Sequence, residues 1–192
     1  MKPISEEVTV PREPNSPAQE ENETLVLAAK EKCRILYDGV QTGHRSCGIA
    51  IAETFDLPTA SYQALRRGGL TGQGPCGAIQ AGRLVLGELL GDPDPTGAAT
   101  PQLKNAVAHY ELGWPKLPSL ETDGAQPPDI VCNSLTSRFP IFKSPERHAM
   151  CTRLAHDVAG LVSHVLNEVE HPREISPIHG VDDFDPKAPG RS

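Results

Sequence analysis

Residues 68–90 read GGLTGQGPCGAIQAGRLVLGELL (Gly68–Leu90), a glycine-rich loop running through Pro75 and Cys76 into an apolar stretch. Cys76 to Leu90 is apolar over most of its length, which predicts a central buried helix, and a buried helix requires other helices to cover it. The flanking sequence supplies them. Residues 23–38 place Leu25, Ala28, Ala29, Cys33, Leu36 and Tyr37 at helical spacing, with Gly39 as the stop. Arg45 to Phe55 sets Cys47, Ile51 and Phe55 on one stripe, and Leu57-Pro58-Thr59 ends it and caps a short helix through Arg66. Asp92-Pro93-Asp94-Pro95 breaks the chain before an amphipathic helix over Ala99 to Leu112, with Leu103, Val107 and Tyr110 on one side.

Gly113 to Pro128 is rich in proline and glycine and reads as a loop or lid; Asp129 to Phe142, which holds Cys132, reads as a short helix or an extended piece. Ser144-Pro145-Glu146 is a helix start, with serine as cap, proline in the first turn and an early acid facing the dipole. The stripe Leu154, Val158, Leu161, Val162, Val165 and Val169 then docks a whole helix, with the Cys151 thiol facing inward one turn earlier. No repeat and no strand alternation is present, and an aromatic content of 4% leaves little of the residue type that fills all-β cores. The expected fold is all-α. It is a compact multi-helix domain over residues 22–170, between a disordered, acidic, proline-rich arm at 1–21 and an irregular tail at 171–192.

With 192 residues and 38% hydrophobic content, the chain is long enough for one ordinary core. A formal net charge of −7, with Arg66-Arg67 as the only tight basic pair, argues against a nucleic-acid surface. No run of apolar residues reaches membrane-spanning length, and the first residues lack the basic and apolar regions of a signal peptide, so a cytoplasmic location is expected. In a reducing compartment the five cysteines are core residues, metal or cluster ligands, or redox-active thiols rather than structural disulfides.

Cys47, Cys76, Cys132 and Cys151 are separated by 28, 55 and 18 residues, with no CxxC pair, so only the fold can gather them. The glycine loop reads as a backbone nest whose free N–H groups, around Gly72, Gly74 and Gly77, stabilise a thiolate or a cluster sulfide at a helix N-terminus and lower the pKa of Cys76. The plainer reading is that the glycines permit close helix packing and Cys76 is a small core residue. His44 and His148 each precede a cysteine by three positions, an HxxC spacing that puts imidazole and thiolate on one helical face and makes both histidines alternative ligands. Cys33 reads as a core cysteine, with a resolving thiol as its alternative.

Gly72 to Gly77 spell GxGxxG, but Pro75 occupies the turn and no buried strand precedes it, so a dinucleotide site is not expected. Hydrolase and nucleotide-hydrolysing motifs are missing: there is no nucleophile elbow, P-loop or HExxH.

From about Cys33 to Val169 the chain resembles the redox-active family named for its C…GCAxxG…C…C cysteine pattern, a family related to the split-Soret cytochromes. The resemblance lies in Ser46-Cys47-Gly48-Ile49-Ala50, in the run from Gly74 through Cys76-Gly77-Ala78 to Gly87, and in the late cysteines Cys132 and Cys151. Ala81 stands where the family carries its closing glycine, with Gly82 next, and there is no CxxCH for covalently attached haem. The resemblance implies a helical fold in which the four cysteines converge, an iron–sulfur cluster of unspecified type, a redox partner protein, and a homodimer. Two readings of the residues stand beside a cluster-bearing electron-transfer protein. One is metal-free dithiol chemistry with Cys76 attacking, and the other is a non-catalytic helical module whose cysteines hold zinc or only pack.

Overall fold

Ser16 starts the first helix by a capping box. Its hydroxyl accepts from the Gln19 N–H at 3.3 Å, while the Gln19 side chain accepts from the Ser16 N–H at 2.8 Å, with Pro17 in the first turn. The helix, α1 (Pro17–Asp38), ends where Gly39 takes φ 75°. The structure, a computed structural model, describes residues 16–121, 127 and 129–181. The expectation of a disordered arm through residue 21 is therefore corrected over residues 17–21, where the local cap outweighs the scarcity of apolar side chains; residues 1–15 lie outside the described residues.

The remaining helices are α2 (Cys47–Thr54), α3 (Gly77–Leu90), α4 (Pro101–Gly113), the single turn α5 (Cys132–Leu135) and α6 (Pro145–Glu168), with short 3₁₀ turns at Ser61–Leu65, Trp114–Lys116 and Pro118–Leu120. Among the described residues there is no strand, and the all-α expectation holds. No helix there is long and apolar enough to cross a membrane.

α1 and α6 share the largest contact of the fold; α2 packs on both, α3 packs on α2 and α6, and α4 packs on α3 and α6. The shared core is mostly aliphatic, with three aromatic rings: Leu36, Ile51, Ile79, Leu86, Val158 and Val162 are fully buried, as are Phe55, Tyr62 and Tyr110. α3 enters this core through small residues. A Cβ at Gly82 would lie 2.3 Å from the Tyr110 hydroxyl, so Gly82 is where the α4 tyrosine seats and donates to the Ile79 carbonyl at 2.8 Å. The notch displaced by one position from Ala81 thus has its own partner in this chain.

The described part of the tail, residues 169–181, is irregular, as expected, but it is not separate from the domain. Ile175, Ile178 and Val181 are buried in the core, and the buried Lys32 ammonium holds Asp56 at 2.9 Å and Ser176 at 2.8 Å. The domain boundary at residue 170 moves accordingly to include this strap. The described part of the 113–128 segment also packs down: Leu120 is buried and the Ser119 N–H donates to Asp157 at 3.2 Å.

Two glycine substitutions in one helix separate packing from propensity. Gly82→Ala displaces Tyr110 and is expected to destabilise the protein by about 1–3 kcal/mol. Gly87→Ala, with nothing within 4 Å of its added Cβ, is expected to be neutral or to stabilise by about 0.5–1 kcal/mol. Urea denaturation of the two variants measures the difference.

Candidate functional site

The glycine loop is tied to the segment before α5 by main-chain hydrogen bonds. Pro75 and Val131 form an antiparallel bridge, the Cys76 N–H donates to the Ile130 carbonyl at 2.7 Å, and the Cys132 and Asn133 N–H groups donate to the Gly74 and Gly72 carbonyls, each at 3.0 Å. Cys76 and Cys132, far apart in sequence, are thereby placed on neighbouring chains. The loop reaches this course through left-handed backbone from Arg67 to Leu70 and again at Gly72. A side chain at Gly68 would meet the Cys132 Cβ at 2.7 Å, and one at Gly72 would meet the Asn133 side chain at 2.2 Å.

The nest expected of this loop is corrected in its geometry. The Gly72 and Gly74 N–H groups donate to the carbonyls of Arg67 and Gly68, closing the loop on itself instead of facing sulfur. The main-chain N–H groups that act on the sulfurs lie elsewhere: those of Gly48 and Arg67 oppose the rise at Cys47, and those of Ala78 and Ile79 oppose it at Cys76.

Three of the four cysteines stand at helix starts. Cys47 is the first residue of α2, Cys76 caps α3 and Cys132 opens α5, while Cys151 lies in the second turn of α6. Their thiols fall within one another's electrostatic reach. Cys76 feels Cys47 and Cys132, Cys47 feels Cys151 and Cys132, and Cys151 feels Cys132. Gly77 makes room for this approach, because a Cβ there would lie 2.7 Å from the Cys47 sulfur. Among the described residues, no three His, Cys, Asp or Glu side chains form a group that could hold a metal ion.

Burial dominates the electrostatics. It pushes the Cys47 thiol up to about 12, with Cys151 and Cys132 adding to the shift and the N–H groups of Gly48 and Arg67 opposing it. Burial also raises Cys76, and the neighbouring Cys47 and Cys132 raise it further against the pull of the Ile79 and Ala78 N–H groups. The lowered pKa expected for Cys76 is therefore reversed: desolvation and like-charge neighbours outweigh the helix N-terminus. Cys132 and Cys151 are raised by burial as well, with the Arg147 guanidinium opposing the shift in both.

Three participants carried no sequence signal. Tyr37 acts electrostatically on the Cys151 thiol and has Cys47 and Cys76 as further neighbours, so a residue on the apolar stripe of α1 reaches the cysteine site. Arg147 is 8% exposed, donates to the Phe142 carbonyl at 2.8 Å and approaches the Cys132 sulfur at 4.0 Å. Arg67 adds a second positive charge near Cys132. None of the three lies in a motif; only their places on the helices bring them here.

The HxxC histidines sit beside the site, at the end of α1. His44 Nδ1 bonds the Tyr37 carbonyl, His148 Nε2 lies 3.3 Å from the Asp38 carbonyl, and both rings pack on the Tyr37 ring, at 5.0 and 5.5 Å between centroids. Cys33 is fully buried, and its thiol donates to the Ala155 carbonyl at 3.4 Å, which matches the core reading.

By type the four sulfur donors are the ones a metal–thiolate centre uses, but as placed they do not form a group that could hold a metal ion. Soft sulfurs come from four segments, main-chain N–H groups act on two of them, and two guanidinium groups stand near a third. The Ser46 hydroxyl, at the α2 cap one residue before Cys47, is buried with no hydrogen-bond partner, a polar atom left over at the edge of this cluster.

Metal-free protein should carry the mark of these raised thiols. A thiol with an ordinary pKa of 9.0 held near 12 by the fold contributes stability that is complete below pH 9 and lost as the pH rises toward 12. The melting temperature is expected to fall over that range, and to fall less in Cys47→Ala, as followed by circular dichroism. No protein-family model, no curated protein and no solved structure matches this chain, so the chemistry of the site stands on its own residues.

Proposed function

We propose that the chain is an electron-transfer or redox-accessory protein that holds an iron–sulfur cluster through Cys47, Cys76, Cys132 and Cys151. The observation that supports this reading is that four thiols from four separate segments, two buried and two partly buried, come within electrostatic reach of one another. Ionising an assembly of this kind is costly without a cation. Each thiol that ionises loses solvation and repels its neighbours, and the raised pKa values express that cost. A metal centre removes it, because a coordinated thiol is deprotonated outright.

The same energetics speak against a free attacking thiol. A metal-free dithiol mechanism needs one sulfur largely ionised near neutral pH, and burial holds Cys76 protonated there. A bound cluster supplies reversible one-electron exchange within the site. The chain's own part is to present the sulfurs, to keep water away through Cys76 and Cys132, which are 7% and 8% exposed, and to set the local field. The N–H groups that act on Cys47 and Cys76, and the positive charges of Arg67 and Arg147 beside Cys132, would favour the more negative, reduced form and so raise the potential. The cysteine order that resembles the C…GCAxxG…C…C family fits this reading.

Anaerobic purification with metal and sulfide analysis tests it. The expected protein is brown, contains iron and acid-labile sulfide, loses both in Cys76→Ser and keeps both in Cys33→Ser. One equivalent of zinc without iron would sink the cluster reading in favour of a structural zinc module. Metal-free protein that reversibly loses two thiols on oxidation would sink it in favour of dithiol chemistry.

A further inference from the structure

The segments that enclose Cys132 also build a surface of opposite sign to the rest of the chain. Residues 65–75 and 131–148 contain Arg66, Arg67, Arg138, Lys143 and Arg147 against a single acid, Glu146, in a chain whose formal net charge is −7. Neither segment is a basic run by itself. The bridge between Pro75 and Val131, with the bonds from Cys132 and Asn133 to the glycine loop, lays the two side by side.

This face is apolar at its centre. Leu70 and Ile141 are 64% and 67% exposed, and Phe142 is held between two guanidinium groups, Arg67 at 4.3 Å and Arg147 at 4.1 Å from its ring centre. An exposed aromatic ring fixed by paired arginines, ringed by further positive charge, has the make-up of a protein-binding anchor. The anchor is joined to the cysteine site, since Arg147 reaches from the Phe142 ring toward the Cys132 sulfur, and Gly68, two residues before Leu70, packs on the Cys132 Cβ.

We infer that this face, formed by Arg66, Arg67, Leu70, Ile141, Phe142 and Lys143, is the docking surface for an acidic electron-carrier protein. The inference rests on the redox reading above. Charge complementarity selects the occupant: a carboxylate-rich carrier is drawn to a strongly basic, partly apolar area of an acidic protein, and it meets that area next to Cys132. A small, salt-sensitive contact of this kind suits a partner that must leave after exchange.

Fluorescence anisotropy of a labelled acidic flavodoxin, titrated with the protein as purified anaerobically, tests the surface without depending on metal content, which is measured separately on the same sample. Binding is expected at about 0.01 M ionic strength and should weaken about tenfold or more at about 0.15 M. The double variant Arg66→Glu/Lys143→Glu should weaken it about tenfold or more, while an equal charge change elsewhere, Lys104→Glu/Lys116→Glu, should have a much smaller effect. Basic cytochrome c should bind more weakly than flavodoxin. Flavodoxin binding that is undetectable, that survives the double variant or that falls equally in both variants overturns the inference. So does tighter binding of a short single-stranded oligonucleotide, which would make the face a phosphate-backbone surface. Iron-free protein that still binds flavodoxin in the expected pattern would overturn the cluster and leave the docking face standing.

Discussion

The main-chain hydrogen bonds between residues 72–76 and residues 130–133 are the constraint on which the site depends. They join a loop to a segment more than fifty positions later, and no side chain contributes to the pairing. Because the bonds are to backbone, their geometry is set by how closely the two chains approach, and Gly68 and Gly72 permit that approach where a Cβ would meet Cys132 or Asn133. The start of α3, the adjacency of Cys76 and Cys132, and the meeting of the two basic segments all follow from this one junction. A protein that kept every cysteine but put bulk at Gly68 or Gly72 would keep its helices and lose the arrangement of its sulfurs.

Around that junction the fold resists ionisation. Four thiols are drawn out of water toward one another, so their raised pKa values record how firmly the packing of α1, α2, α3 and α6 keeps them protonated. The helix starts at Cys47 and Cys76, the N–H groups beside them and the Arg67 and Arg147 charges oppose this shift without cancelling it. Arg147 carries a penalty of its own, as a cation with 8% exposure whose contacts are a carbonyl, an aromatic ring and a sulfur. Anionic sulfur beside it would relieve that penalty.

The helices were legible because their signals are local. The stripe of α6 and the Ser144 cap predict that helix nearly to the residue, and the apolar run after Cys76 predicts α3. The capping box Ser16-x-x-Gln19 was equally local but lay in a stretch whose proline and glutamate content reads as disorder, so composition masked it. The tail differs for another reason: Ile175, Ile178 and Val181 have no period to betray them, and only the finished core offers the surface that buries them. At the site, the linear pattern singles out the four cysteines as candidates, whereas the direction of the Cys76 shift depends on desolvation and on neighbours that no linear pattern encodes. Tyr37, Arg67 and Arg147 belong to the same class, residues ordinary in sequence and specific only in space.

The placement of Arg67 and Arg147 ties the two proposals together. Each guanidinium both lies on the Phe142 ring and acts on Cys132, so the charge that offsets the sulfur is also part of the exposed anchor. A carboxylate brought to this face by an acidic partner competes for those guanidinium groups and lessens what they give to the sulfur. Docking and the redox balance of a bound cluster are then linked, and linkage is reciprocal: if the partner's charge disfavours the reduced site, reduction of the site weakens the partner's hold by the same factor. A carrier that delivers an electron would therefore find its own departure favoured by the charge it has left behind.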